Sequence, residues 1–273
     1  MSRRSRAGDR SGAASAVVAV FLALGLAACA GPGGSSGPAP AHTPGQTVSA
    51  GSLFGDMVTR IEARHSVHFT STSTDSAGEG DIVFAGSDSR MAYHGAQGGQ
   101  QTSMRVFPDS IYLADSSQPG KSWLRLSATG TDVMSKLMAP VVTVITTSVN
   151  PANQVKLFAA ARPFTTVGSE RIGDTTTTHY RGTVPASAML GLLPQETRDL
   201  VRGRLSGEIA VDAWIDADGL PVKIQTARPG DQPAVTSYSR WGQDVDVVRP
   251  ADSQVADPPR MPGAPSTPPS SGG

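Results

Sequence analysis

Six short stretches decide the fold: Val67-His68-Phe69-Thr70-Ser71-Thr72, Gly80-Asp81-Ile82-Val83-Phe84-Ala85, Arg90-Met91-Ala92-Tyr93-His94, Thr102-Ser103-Met104-Arg105-Val106-Phe107, Ser110-Ile111-Tyr112-Leu113-Ala114 and Trp123-Leu124-Arg125-Leu126. They are rich in β-branched and aromatic residues, and apolar and polar side chains tend to alternate. A period of two is that of a strand with one face buried. Clusters of Gly, Asp, Ser and Pro separate the stretches and supply turns. Successive strands with no regular helix between them predict an antiparallel meander.

The pattern resumes further along. Strands are expected at Phe164–Arg171, Thr175–Val184, Glu208–Asp216, Leu220–Thr226, Val235–Trp241 and Val245–Val248. Asp216-Ala217-Asp218-Gly219 reads as a hairpin turn, because Gly219 tolerates positive φ. A calcium loop aligned on that glycine would begin at Trp214 and end at Gln225, neither of which is a carboxylate.

Helices are expected at four places. Leu53, Phe54, Met57, Val58 and Ile61 recur at helical spacing over Ser52–Arg64, with Ser52 as the expected N-cap. Val133, Met134, Leu137, Met138, Val141, Val142 and Ile145 form a second stripe, which Pro140 should break or kink. Asn150-Pro151 should start a further helix through Val155, Leu157 and Phe158. A second helical insertion is expected over Pro185–Leu193 and Pro194–Leu205. The fold class is therefore α+β: a strongly curved antiparallel sheet with helices packed against its concave side.

The chain divides into four parts. Residues 1–28 carry Arg3, Arg4, Arg6 and Arg10, then an apolar run from Ala13 to Leu26, well short of the roughly 20 residues a membrane span needs. That is the layout of a secretory signal. Ser5-Arg6 after Arg3-Arg4 lacks the apolar pair of a twin-arginine signal, which favours general secretion. The run ends in Leu26-Ala27-Ala28-Cys29, which resembles the bacterial lipobox. Cys29 would take a diacylglycerol thioether, palmitate-like in its chains, and become the first mature residue. Residues 29–50 contain that cysteine and a tether without charge or aromatic ring. Residues 51–250 hold the expected folded domain, and 251–273, with six prolines, a tail expected to be disordered.

Composition narrows the function. The chain has 273 residues, one cysteine, 5% aromatics and a formal charge of zero. Once the basic signal is gone, 19 basic and 22 acidic residues remain, a charge of about −3. Nothing in that balance provides the basic footprint of a nucleic-acid binder. One cysteine cannot form an internal disulfide or a multi-cysteine metal site. His65 and His68 are three apart without a neighbouring zincin-type glutamate, and His94 and His179 have no partner nearby in sequence, so no metal site is expected. There is no nucleophile elbow, dinucleotide fingerprint or phosphate loop, and no cofactor or catalytic residue is indicated. A triad assembled from distant residues stays open at this point.

The inserted helices carry more information. Met134, Leu137, Met138, Val142, Ile145, Leu157, Phe158, Met189, Leu190 and Leu193 are flexible or branched apolar side chains. They fit an ordinary core, or the lining of a cavity that accepts acyl chains.

Several of these features together are similar to the LppX/LprG group of actinobacterial lipoproteins. They are the lipobox, the uncharged tether, the early helix, Gly80-Asp81-Ile82-Val83-Phe84, Tyr180-Arg181-Gly182-Thr183-Val184, the hairpin Ala213–Ile224 and the ending Tyr238–Pro250. The resemblance covers roughly 51–250. It implies a LolA-like open half-barrel whose mouth is covered by helices. It further implies a non-enzymatic, lipid-anchored protein on the extracytoplasmic face of the cell membrane. Such a protein binds or carries lipids or lipidated glycans of the envelope, with a transport partner in the envelope. The fold also resembles envelope sensors that regulate a membrane partner by protein binding, which is the alternative function.

Overall fold

The structure, a computed structural model, describes residues 43–114, 119–130, 133–149, 161–192, 195, 198 and 207–256. Its elements in chain order are β1 (Thr47–Val48), α1 (Ala50–Arg64), β2 (Ser66–Thr72), β3 (Ser76–Val83), β4 (Arg90–Gln97), β5 (Gln100–Phe107), β6 (Ser110–Ala114), β7 (Trp123–Ser127), α2 (Val133–Val149), β8 (Phe164–Ile172), β9 (Thr175–Pro185), β10 (Glu208–Asp216), β11 (Pro221–Ala227), β12 (Ala234–Ser239) and β13 (Val255–Ala256).

Among the described residues the strands form a single 13-stranded sheet in the order β1-β8-β9-β10-β11-β12-β2-β3-β4-β5-β6-β7-β13. Each neighbouring pair is antiparallel except β7 and β13, which run parallel. The sheet curves without closing, and α1 and α2 cover its inner face. The expected fold class is the observed one. Two-residue strands cap both ends of the sheet, which leaves little edge for foreign pairing at β1 and β13.

α1 begins one turn earlier than its apolar stripe suggests. Ser49, not Ser52, is the N-cap: its hydroxyl accepts from the Ser52 N–H at 3.1 Å. The stripe Ala50, Phe54, Met57, Val58 and Ile61 is buried, each large side chain contributing roughly 1.5–3 kcal/mol. The helix stops at His65, which adopts the left-handed region at φ 64° and returns its N–H to the Glu62 carbonyl. Phe54 meets Phe164 of β8 edge to face at 5.1 Å, so α1 lies over the half of the sheet that includes β8.

The β10–β11 hairpin turns where expected. Gly219 has φ 76°, and the Asp216 carboxylate accepts from the N–H groups of Asp218 and Leu220, both at 2.9 Å. Desolvation raises the Asp216 carboxyl pKa, outweighing those hydrogen bonds. Arg60 donates to the Asp218 carbonyl and Arg64 pairs with the Asp218 carboxylate, which fastens the turn to α1.

Pro140 does not break α2, which runs from Val133 to Val149 with the proline inside it. Proline costs the helix one hydrogen bond, but burial of Val142, Ile145 and Val149 against the sheet holds the segment helical. α2 packs over β4, β5, β6 and β7.

Val245–Val248 is not a strand. Residues 243–250 form an extended strap across the outer face of β5 and β6. Val247 is buried against Phe107 and Tyr112, Arg105 donates to the Val248 carbonyl at 2.6 Å, and Arg249 reaches Asp109, Ser110 and Tyr112. The alternation of Val245 and Val247 reflects packing on one face, without a ladder. The sheet also takes residues from both flanks of 51–250: Thr47–Val48 pairs with β8, and Val255–Ala256 with β7.

Candidate functional site

The inner face is built in rows, because antiparallel registers bring side chains of equal parity side by side. At one end of the strands Val67, Ile82, Met91, Val106, Ile111 and Leu126 are successive cross-strand partners. Two residues along, the row is Tyr238, Phe69, Gly80, Tyr93, Met104 and Leu113. Phe69 lies over Gly80, where an added Cβ would stand 2.8 Å from its ring. Phe164 lies likewise over Gly182, at 2.7 Å. These glycines keep aromatic rings flat against the sheet.

The third row changes character: Thr236, Ser71, Gly78, Gly95 and Thr102. The hydroxyls of Thr236 and of Thr166 on β8 are buried without a hydrogen-bond partner, whereas the buried Ser71 hydroxyl faces the Tyr93 phenol, whose oxygen lies over Gly78 and Gly95. Burial raises the Tyr93 phenol pKa, and the Ser71 hydroxyl beside it partly offsets the shift. Burial also raises Tyr180 and Tyr238. No charged side chain stands in any of the three rows.

The expected cavity residues divide. Val142 and Ile145 are buried in this core, and Met138 is half-buried against it. Leu190 is half-buried in a 3-10 turn over Ala186–Leu192. Met134, Leu137 and Met189 lie in described helical turns, but their side chains are outside the described set. Leu157, Phe158 and Leu193 lie outside the described residues, as does Cys29. The hydroxyl row was missed. The signal for it was present, since Ser71 shares parity with Phe69 and Thr236 with Tyr238.

The outer face carries the charges. His179 is buried between Glu170, 2.8 Å from Nδ1, and Asp212, 2.6 Å from Nε2, and stacks on Trp214 at 4.3 Å. Lys223 caps the other face of Trp214 at 3.9 Å, and Arg181 donates to Asp212. Hydrogen bonds from Trp214 and then His179 lower the Glu170 pKa. A groove of about 450 Å³ crosses the outer face of β3, β4 and β5. On its rim His68 bonds Asp81 and His94 bonds Ser103, both at 2.9 Å. These partners come from neighbouring strands, so the sequence alone could not pair them. Among the described residues no three His, Cys, Asp or Glu side chains converge on a point that would hold a metal ion.

The architecture matches solved structures. LprF from Mycobacterium bovis superposes with a TM-score of 0.50 at 14% identity, covering 74% of this chain and 97% of LprF. The lipoprotein LppX from Mycobacterium tuberculosis gives 0.50 at 16% identity, covering 73% and 98%. The chain has the LprF and LppX fold. A LolA superfamily protein from Nitrosomonas europaea covers 73% of this chain and 96% of its own at 11% identity, with a TM-score of 0.26 that adds nothing to this assignment. No protein-family model and no curated protein matches the sequence. Within the LppX-like fold the helix-covered inner face is the candidate binding site. Among the described residues no helix is long and apolar enough to cross a membrane.

Proposed function

We propose that the protein is an extracytoplasmic lipoprotein, anchored through a lipidated Cys29, that binds or carries acyl-chain lipids or lipidated glycans of the cell envelope between its sheet and helices. The observation that carries this reading is the uncharged inner face: two rows of aliphatic and aromatic side chains, covered by amphipathic helices, in a fold shared with LprF and the lipoprotein LppX. An apolar surface of this kind suits hydrocarbon and offers no counter-charge to an ionic metabolite. The role is carriage without catalysis, with an envelope partner that loads or unloads the ligand.

The test is native mass spectrometry of the full chain purified from its membrane. Envelope lipid bound in stoichiometric amount is the expected result. A chain that carries no lipid and takes none up from vesicles of envelope lipid would sink the proposal.

A further inference from the structure

The groove on the outer face is set by strand register. His68, Asp81, Ala92 and Arg105 are successive cross-strand partners on β2, β3, β4 and β5, and Glu79, His94 and Ser103 form the row beside them. Ala92 separates Asp81 from Arg105, so the two backbones stand roughly 9–10 Å apart, two strand spacings. At one end Asp81 and Glu79 flank His68, whose Nδ1 bonds one Asp81 oxygen at 2.9 Å and whose Nε2 stands 3.7 Å from Glu79. Each carboxylate keeps a second oxygen without a partner among the described residues. At the other end the Arg105 guanidinium lies over the Trp123 ring at 4.9 Å and donates from one terminal nitrogen to the Val248 carbonyl. Among the described residues no carboxylate pairs with it, so its charge is held in place and left uncompensated. Gly80, Ala92 and Ala114 keep the lining low between the two ends.

We propose that this groove binds a zwitterion whose two charges are held apart by an apolar stem, the chemistry of an ω-amino acid or of a lysine at a free chain end. The ligand's carboxylate pairs with Arg105, whose Nε and remaining terminal nitrogen suffice for two parallel hydrogen bonds. Its ammonium donates to Asp81 and Glu79, and its methylenes lie over Ala92 and Ala114. A simple anion would meet Arg105 but carry its charge into a groove that already holds two carboxylates. A simple amine would leave Arg105 uncompensated. An α-amino acid with a neutral side chain has its charges too close together to reach both ends. The groove lies on the face of the sheet opposite the acyl-binding surface, and the proposal stands independently of that reading.

The test is equilibrium dialysis of the full chain against labelled 6-aminohexanoate with unlabelled competitors. Saturable binding is expected, with hexanoate, hexylamine and glycine each competing about tenfold more weakly, because each meets only one end of the groove. Asp81→Asn should weaken 6-aminohexanoate about tenfold and leave hexanoate unchanged, while Arg105→Gln should weaken it as much and leave hexylamine unchanged. A folding defect would instead weaken both probes together in either variant. A tripeptide ending in lysine, as free acid and as amide, separates the two sources of the ligand. Competition by the free acid alone marks a chain end, and competition by neither marks a free amino acid. The proposal is overturned by an absence of saturable binding up to about 10 mM, or by hexanoate or hexylamine competing as well as the zwitterion. A lysine amide that competes as well as the free acid would overturn it too, since Arg105 would then have no carboxylate to recognise.

Discussion

His179 illustrates how much one position can depend on register. It has a carboxylate within hydrogen-bond reach of each ring nitrogen, Glu170 from β8 and Asp212 from β10. His179→Phe would keep a ring on Trp214 and lose both hydrogen bonds, leaving Asp212 to Arg181 alone. A loss on the order of 2–4 kcal/mol is expected by chemical denaturation; an unchanged midpoint would show that stacking alone holds the site. Glu170 adds a pH dependence. Its folded pKa lies below the ordinary carboxylate value of 4.5, so its contribution is complete above that pH and is lost as pH falls through the lowered folded value. Its side chain is nearly half exposed, so the effect is small. Glu170→Gln should therefore flatten the stability curve only below about pH 4.5.

At the scale of elements, α2 sets helix propensity against burial. Pro140 sits at its eighth position and removes one intrahelical hydrogen bond, a defect of about 3 kcal/mol in an exposed helix. Val142, Ile145 and Val149 lie buried just beyond it, and the helix persists. Pro140→Ala should raise the melting temperature, with a gain of about 1–3 kcal/mol; a lower melting temperature would mean that the ring itself packs in place. The stripe of α2 was legible in sequence, and its continuity was not, because single-residue rules omit the sheet beneath. The same holds elsewhere. Period-two alternation placed most of the long strands, since a half-buried strand writes its face into the sequence. It also called Val245–Val248 a strand, because a strap with one buried side alternates in the same way. β1 and β13 are two residues each, too short to show any period. The Ser52 cap was one turn late because Ser49 precedes an alanine and a glycine that carry little of the stripe. The apolar lining could be read from composition, while the hydroxyl couple Ser71 and Thr236 needed the register of β2 against β12.

At the scale of the whole molecule, β1 decides how the domain hangs from its proposed anchor. The tether expected over 29–50 is joined to the sheet earlier than that: Gly45 donates to the Thr166 carbonyl at 2.8 Å, Thr166 donates back to Gln46 at 2.9 Å, and Thr47–Val48 pairs with β8. Some 15 residues then remain between Cys29 and the sheet, with a root-mean-square span of roughly 20–25 Å if they behave as a flexible chain. The β8 end of the sheet should thus ride near the membrane, and the strap over β5 and β6, towards the other end of the strand order, should ride away from it. Val167 on β8 and Val248 on the strap are both exposed, at 42% and 52%, and suit a comparison. Lipidation would occupy the sole native thiol, so Val167→Cys or Val248→Cys would each give one site for a fluorophore. With vesicles carrying spin-labelled headgroups, quenching should be stronger at 167 than at 248. Adding Cys29→Ala, with the label carried on the introduced cysteine, should abolish the difference by releasing the protein. Equal quenching at the two sites in the anchored protein would show that the tether, and not β1, sets the approach to the membrane.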